Sequence, residues 1–305
     1  MLPERSSARA RWREFLAFSR DVLTRFSEDR VPLAAGAITF FTLLSLVPLL
    51  VLAVSLATYF IFPGPEGVAR AQAYITNLAV TWGPEIARVL GDQVRALVSN
   101  RSLSIVLALL VGFWTGSQIF LSLESAMNLT WRAHRRRRYW ARRGLALLLV
   151  LVVGSLLGLA IGLTQAMRVL AQLPLPAWVI YVRELSLLTH FIISFLIPTL
   201  LVAAIFAVMY KVLPTRRVTL RSVLPGALVA AVLWDIALHL FGWYVVHAFA
   251  RFSVIYGSLG GLVLLMLWFY YSAQVYLLGA EISAVYHQRL AREGDKDEQD
   301  ADADA

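Results

Sequence analysis

Six long stretches without a charged side chain dominate this chain: Val31–Pro65, Ser102–Leu123, Gly144–Met167, Leu185–Tyr210, Ser222–Ala250, interrupted only by Asp235, and Phe252–Ala280. A helix rising about 1.5 Å per residue crosses a hydrocarbon core of about 30 Å in about 20 residues, so each stretch can span a bilayer. Only 15% of the 305 residues are charged, where about a quarter is usual for a soluble domain. Too little polar surface is left to hold such a chain in water. The apolar–polar alternation of a membrane β-strand is absent from all six stretches. The expected fold is an all-α integral membrane protein, a bundle of six transmembrane helices within residues 31–290.

Arginine placement orients that bundle. Of the 28 Lys and Arg residues, 21 lie in alternate segments beginning with the N-terminus and 7 in the segments between. Basic loops stay on the cytoplasmic side whereas acidic residues contribute little, so both termini are expected in the cytoplasm. The densest cluster, Arg132, Arg135, Arg136, Arg137, Arg138, Arg142 and Arg143, lies in a basic cytoplasmic loop at residues 128–143. There it sets topology and meets lipid headgroups.

Three segments fall outside the spans. Residues 1–30 carry Trp12, Phe15, Leu16, Leu23 and Phe26 at helical spacing among arginines, the pattern of an amphipathic helix lying on the membrane. Residues 66–101 form an outward loop in which Pro84 opens an amphipathic helix bearing Ile86, Val89, Leu90, Val94, Leu97 and Val98 on one face. Residues 291–305 form an acidic tail with no large apolar side chain, expected to be disordered.

Ionisable groups inside hydrocarbon cost a few kcal/mol and mark candidate sites. Asp235 falls near the middle of the fifth stretch with His239 one turn on, and Glu281 ends the sixth, two turns after Gln274 on nearly the same face. These four are the candidate polar lining of a cavity, with a structural tether as the competing reading of Asp235 and His239. Pro48 and Pro198 each delete a backbone hydrogen bond and are candidate kinks, with Thr42, Ser45, Ser194 and Thr199 near enough to satisfy freed carbonyls. Gly112 with Gly116, and Gly154, Gly158 and Gly162, have the four-residue spacing that lets helix backbones approach.

Enzyme constellations are missing. The chain has no cysteine, HExxH, GxSxG or phosphate-binding glycine loop, and its five histidines are scattered. No catalytic residue, metal or cofactor is expected. Arginines interleaved with Trp131, Tyr139 and Trp140 resemble a single-strand binder, but topology and the interfacial aromatic belt already require them, so no nucleic-acid partner is expected.

Three passages resemble the YihY/BrkB family of bacterial inner-membrane proteins, once labelled ribonuclease BN: Ala34–Leu50, Asn128–Trp140, and Tyr256–Glu281, which begins YGSLGG and ends LLGAE. The matching positions are Ser45, Pro48, Asn128, Trp131, Tyr256, Gly257, Ser258, Gly279 and Glu281. The resemblance implies a six-helix protein of the bacterial inner membrane, linked in some members to serum resistance and to phospholipid movement, with no established catalytic residues. The expected function is transport, or partnership in transport, of phospholipid or another amphipathic solute. Membrane lipids, an envelope lipid-transport protein and further copies of the chain are the partners considered. A scaffold that recruits a periplasmic partner through residues 66–101 is the alternative, and a membrane-associated ribonuclease the least favoured.

Overall fold

A computed structural model describes the chain over residues 4–60, 69, 73, 101–133, 137–172, 195–216, 218–256 and 260–303. Among these residues the regular structure is helical: α1 (Glu4–Glu28), α2 (Val31–Phe60), α3 (Arg101–Thr130), α4 (Tyr139–Gln172), α5 (Ile197–Val212), α6 (Leu220–Tyr256) and α7 (Gly260–Ala303). The amphipathic stretch within residues 66–101 lies outside the described residues.

By length and composition, α6 over Leu220–Val245 and α7 over Gly260–Ala291 can each cross a membrane. The bent pair Ala10–Glu28 and Val31–Leu46 passes the same test as one unit, and Pro198–Val212 is a shorter apolar helix. Large apolar side chains cover the outside of these helices. Phe40, Leu110, Trp114, Leu151, Leu240 and Trp243 are all more than half exposed, a surface that water would penalise and hydrocarbon does not.

The α1–α2 bend of 58° has a local cause. Arg30 takes φ 49°, in the left-handed region, and its N–H donates to the Ser27 carbonyl, so α1 stops and α2 starts in a new direction. A comparable device ends α3. Arg132 sits at φ 47°, its N–H donates to the Leu129 carbonyl and the Ala133 N–H to that of Asn128, the reciprocal pair of bonds that closes a helix C-terminus.

Both prolines lie in helices. α2 continues through Pro48, and upstream Thr42 donates to the Ile38 carbonyl at 2.8 Å and Ser45 to that of Thr42 at 3.0 Å. Pro198 stands in the first turn of α5, preceded by a π-helical turn at Phe195 and Leu196, and Thr199 donates to the Phe195 carbonyl at 2.7 Å.

The tightest seam is between α6 and α7. A Cβ at Gly226 would stand 2.1 Å from the Gly279 carbonyl oxygen, and one at Gly279 would stand 2.5 Å from the Ala230 Cβ and from the Tyr210 hydroxyl. Ala227, Ala230, Ala231 and Ala280 flank this contact, all fully buried. Further along, the same helices are spaced by aromatic side chains. Trp234 packs on Trp268 at 5.7 Å, Phe241 on Trp268 at 5.0 Å, and the Trp234 indole N–H donates to Ser272 Oγ at 3.3 Å.

Of the glycines read as packing points, Gly116 is buried, and the side-chain surroundings of Gly112, Gly158 and Gly162 lie outside the described residues. A Cβ at Gly154 would meet nothing within 4 Å. Gly154→Ala is therefore expected to leave the thermal midpoint unchanged or raised by about 1 °C, through the better helix propensity of alanine. A fall of several degrees in a thermal scan would show that Gly154 does face a neighbour.

Where the composition of residues 291–305 suggests a disordered tail, the structure continues α7 as helix to Ala303. Five of these fifteen residues are Asp and one is Gly, weak helix formers, so the helix there is an extension of the turns of α7 before it, where elongation needs no new nucleus.

Candidate functional site

Four chain segments meet at one end of the bundle: α1 with its turn into α2, the end of α3 with the basic loop, the α5–α6 turn, and the last turns of α7. Asp21 on α1 pairs with Arg289 on α7 at 2.8 Å, Glu28 with Arg132 at 3.5 Å, and Arg289 lies over the Phe18 ring. Asn128 accepts from the Thr215 N–H at 2.9 Å and from its hydroxyl at 3.1 Å, tying α3 to the α5–α6 turn. Trp131 is buried with its ring 5.7 Å from that of His287.

Three arginines of the basic loop turn inward. Arg137 donates to the carbonyls of Val212, Leu213 and Pro214 at 2.8, 2.9 and 3.1 Å, closing the C-terminus of α5 with a positive charge where the helix dipole favours one. Arg142 donates to Glu124 Oε2 at 2.9 Å, to the Leu121 carbonyl at 2.7 Å and to Ser125 Oγ at 2.6 Å. Arg143 lies 3.6 Å from the centroid of the Trp114 ring and donates to the Trp114 carbonyl at 3.1 Å. Glu124, only 2% exposed, is thus held by Arg142 and faces Arg137 at 3.6 Å. Arg132 and Arg138 stay exposed, while Arg135 and Arg136 lie outside the described residues. Helix capping, a buried carboxylate and an aromatic ring explain where three of these arginines point.

The four candidate cavity residues do not converge. Asp235 is buried on α6, and His239 Nδ1 lies 3.5 Å from its carboxylate and 2.8 Å from its carbonyl. The His239 side chain is 72% exposed, facing out of the bundle. Gln274 is half-buried on α7. Glu281, also on α7, is nine residues beyond Ser272, the residue that meets Trp234. That separation is about 14 Å along the helix. Asp235 and His239 therefore occupy one level, and Glu281 the junction described above.

At that junction Glu281 is fully buried, and its Oε1 accepts from the Thr130 hydroxyl at 2.9 Å. Asp29, from the α1–α2 turn, is within side-chain reach of it, and the charge of Arg25, from α1, acts on it. Arg25 also donates to the Gln288 side chain. Neither Asp29 nor Arg25 is recognisable as its neighbour from sequence, because both sit in a stretch whose pattern speaks only of a surface helix. On the outer side of the same turn, a groove of about 490 Å³ runs between α2 and α3. Its lining combines apolar Leu33, Ala37, Leu121 and Leu129 with Asp29, Arg30 and Arg142. Among the described residues no group of three His, Asp or Glu side chains is arranged to hold a metal ion.

Residues 22–304 match the family described as virulence factor BrkB. A UPF0761 membrane protein of Ralstonia nicotianae is 33% identical over 91% of this chain, which spans 62% of that relative's length. A UPF0761 membrane protein of Tolumonas auensis is 28% identical over 88% of this chain and 84% of its own. A Bacillus subtilis protein, named as ribonuclease-like, is 25% identical over 90% of this chain and 96% of its own. No solved structure matches the chain. The matched length, together with the apolar helices, establishes that this chain belongs to the BrkB family of membrane proteins.

Proposed function

We propose that the protein is a six-span component of the bacterial cytoplasmic membrane, with both ends in the cytoplasm, that moves phospholipid or another amphipathic solute or hands it to a partner. The groove between α2 and α3 is the observation that carries this reading. Its apolar side chains suit an acyl chain, and Arg30, the exposed arginine of its lining, suits a headgroup phosphate. The contacts among α1, the basic loop, the α5–α6 turn and the end of α7 support the orientation, because these segments together hold 21 of the 28 Lys and Arg residues. Reporter fusions at either terminus are expected to be active only on the cytoplasmic side.

Filling the groove tests the function. Ala37→Trp in full-length protein, reconstituted into vesicles with a fluorescent phospholipid, is expected to lower lipid movement about tenfold, a change of about 1.4 kcal/mol in the barrier. An unchanged rate in a normally folded Ala37→Trp protein would remove the groove from the pathway. If Asp235→Ala and Glu281→Ala both keep full rate, those positions serve structure. Loss of activity on deleting 66–101, with the groove variants active, would favour the scaffold. Metal-dependent RNA cleavage by clean protein would favour the chemistry suggested by the Bacillus relative's name.

A further inference from the structure

Among the described residues, five buried side-chain polar atoms have no hydrogen-bond partner, and four belong to this junction: Arg25 Nη1, Asp29 Oδ2, Trp131 Nε1 and Glu281 Oε2. A buried polar atom without a partner costs about 1–3 kcal/mol, so such a concentration calls for a physical reason. Two of the four are carboxylate oxygens on facing residues, Asp29 and Glu281. Carboxylates only accept, so two ionised ones in contact repel and leave both oxygens unsatisfied. A carboxyl that keeps its proton donates to the other and satisfies both.

We propose that Asp29 and Glu281 hold one proton between them, a proton-binding site that joins the α1–α2 turn to α7. Glu281 is completely enclosed and its other oxygen is already held by Thr130, so it has one oxygen left to share. α1 brings Arg25, the turn brings Asp29 and its exposed neighbour Arg30, α3 ends in Thr130 and Trp131, and α7 adds His287 and Gln288. Among the described residues Arg25 is the cation whose charge acts on Glu281, so the cluster of Arg25, Asp29 and Glu281 carries one net negative charge when both acids are ionised. One shared proton restores neutrality.

The site stands between two openings. Arg25 lines a cavity of about 280 Å³ with Arg20, Glu28, Arg132 and Arg289, through which the proton can reach cytoplasmic water. Asp29 also lines the groove between α2 and α3. Releasing the proton sets two carboxylates against each other across the α1–α2 bend, and the turn is driven away from α7. The proposal holds whatever solute the groove takes.

Infrared spectroscopy of the full-length protein in lipid nanodiscs tests it. A protonated-carboxyl band is expected at about pH 7, lost on titration to about pH 10 and absent from Glu281→Gln, whose amide can accept from Thr130 and donate to Asp29. The thermal midpoint of the native protein is expected to fall by about 3 °C between about pH 6 and about pH 9, and that of Glu281→Gln to stay level. The sign follows from linkage: an acid kept protonated in the fold binds more protons than in the unfolded chain, so stability declines as pH rises. Should the variant fail to fold, side-chain carboxyl isotope labelling of aspartate and glutamate in the native protein decides alone. No such band at about pH 7, or one untouched by Glu281→Gln, would overturn the proposal in favour of two ionised acids paired to Arg25.

Discussion

Replacing Gly279 by alanine is expected to lower the thermal midpoint of the detergent-solubilised protein by about 5 °C, and replacing it by leucine to prevent accumulation in the membrane. The added Cβ would stand 2.5 Å from the Ala230 Cβ, 2.5 Å from the Tyr210 hydroxyl and 2.7 Å from the Gly226 carbonyl oxygen. None of these has anywhere to go. Ala230 is on the facing helix backbone, the Gly226 carbonyl is backbone itself, and the Tyr210 hydroxyl is fixed by donating to the Tyr276 carbonyl. Overpacking at such a seam costs about 1–3 kcal/mol for one methyl, which moves the midpoint by about 2–4 °C per kcal/mol in a chain of this size. Ser283 adds to the loss, since its hydroxyl bridges the carbonyls of Val223 at 3.2 Å and Gly279 at 3.0 Å across the same contact. A Gly279→Ala protein as heat-resistant as the native one would mean that α6 and α7 are further apart than described.

Glu124→Ala, on α3, is expected to lower the midpoint by about 8 °C. The carboxylate is the only acid facing both Arg137 and Arg142 among the described ion pairs. Removing one partner of a buried pair costs about 3–5 kcal/mol, because the stranded charge loses its compensation. Both arginines are partly solvated, at 27% and 35% side-chain exposure, which brings the expectation to the lower end, about 3 kcal/mol. The damage should spread. Arg137 closes the end of α5 and Arg142 holds the Leu121 carbonyl, so loosening them weakens the joint between α3, α4 and α5 together. Added salt should restore little, since a buried pair is weakly screened. A midpoint within 2 °C of native, by the same thermal scan, would show the carboxylate to be dispensable.

How much of this molecule could be read from residue order differs by element. The apolar stretches that become α6 and α7 are plain, because transfer into hydrocarbon adds up residue by residue along a continuous run. Asp235 and His239 are also plain as a pair, since a spacing of four on one helix places them together whatever surrounds the helix. Gly279 stood out as part of a motif, but its partner Gly226 did not, as nothing in either stretch announces the other. The basic loop was legible as charge and illegible as geometry. A count of arginines is indifferent to whether they reach headgroups or, as Arg137 and Arg143 do, backbone carbonyls.

Residue order alone settles which solvent most of this chain needs, because that preference is a sum over local composition. The packed fold settles the rest: that Asp29, in the α1–α2 turn, comes beside Glu281 on α7, and that Glu124 is enclosed between two arginines of a loop that follows it. Such contacts join residues distant in the chain, and their energies arise from enclosure and from the direction of individual oxygens and nitrogens. Neither quantity exists until the helices have met.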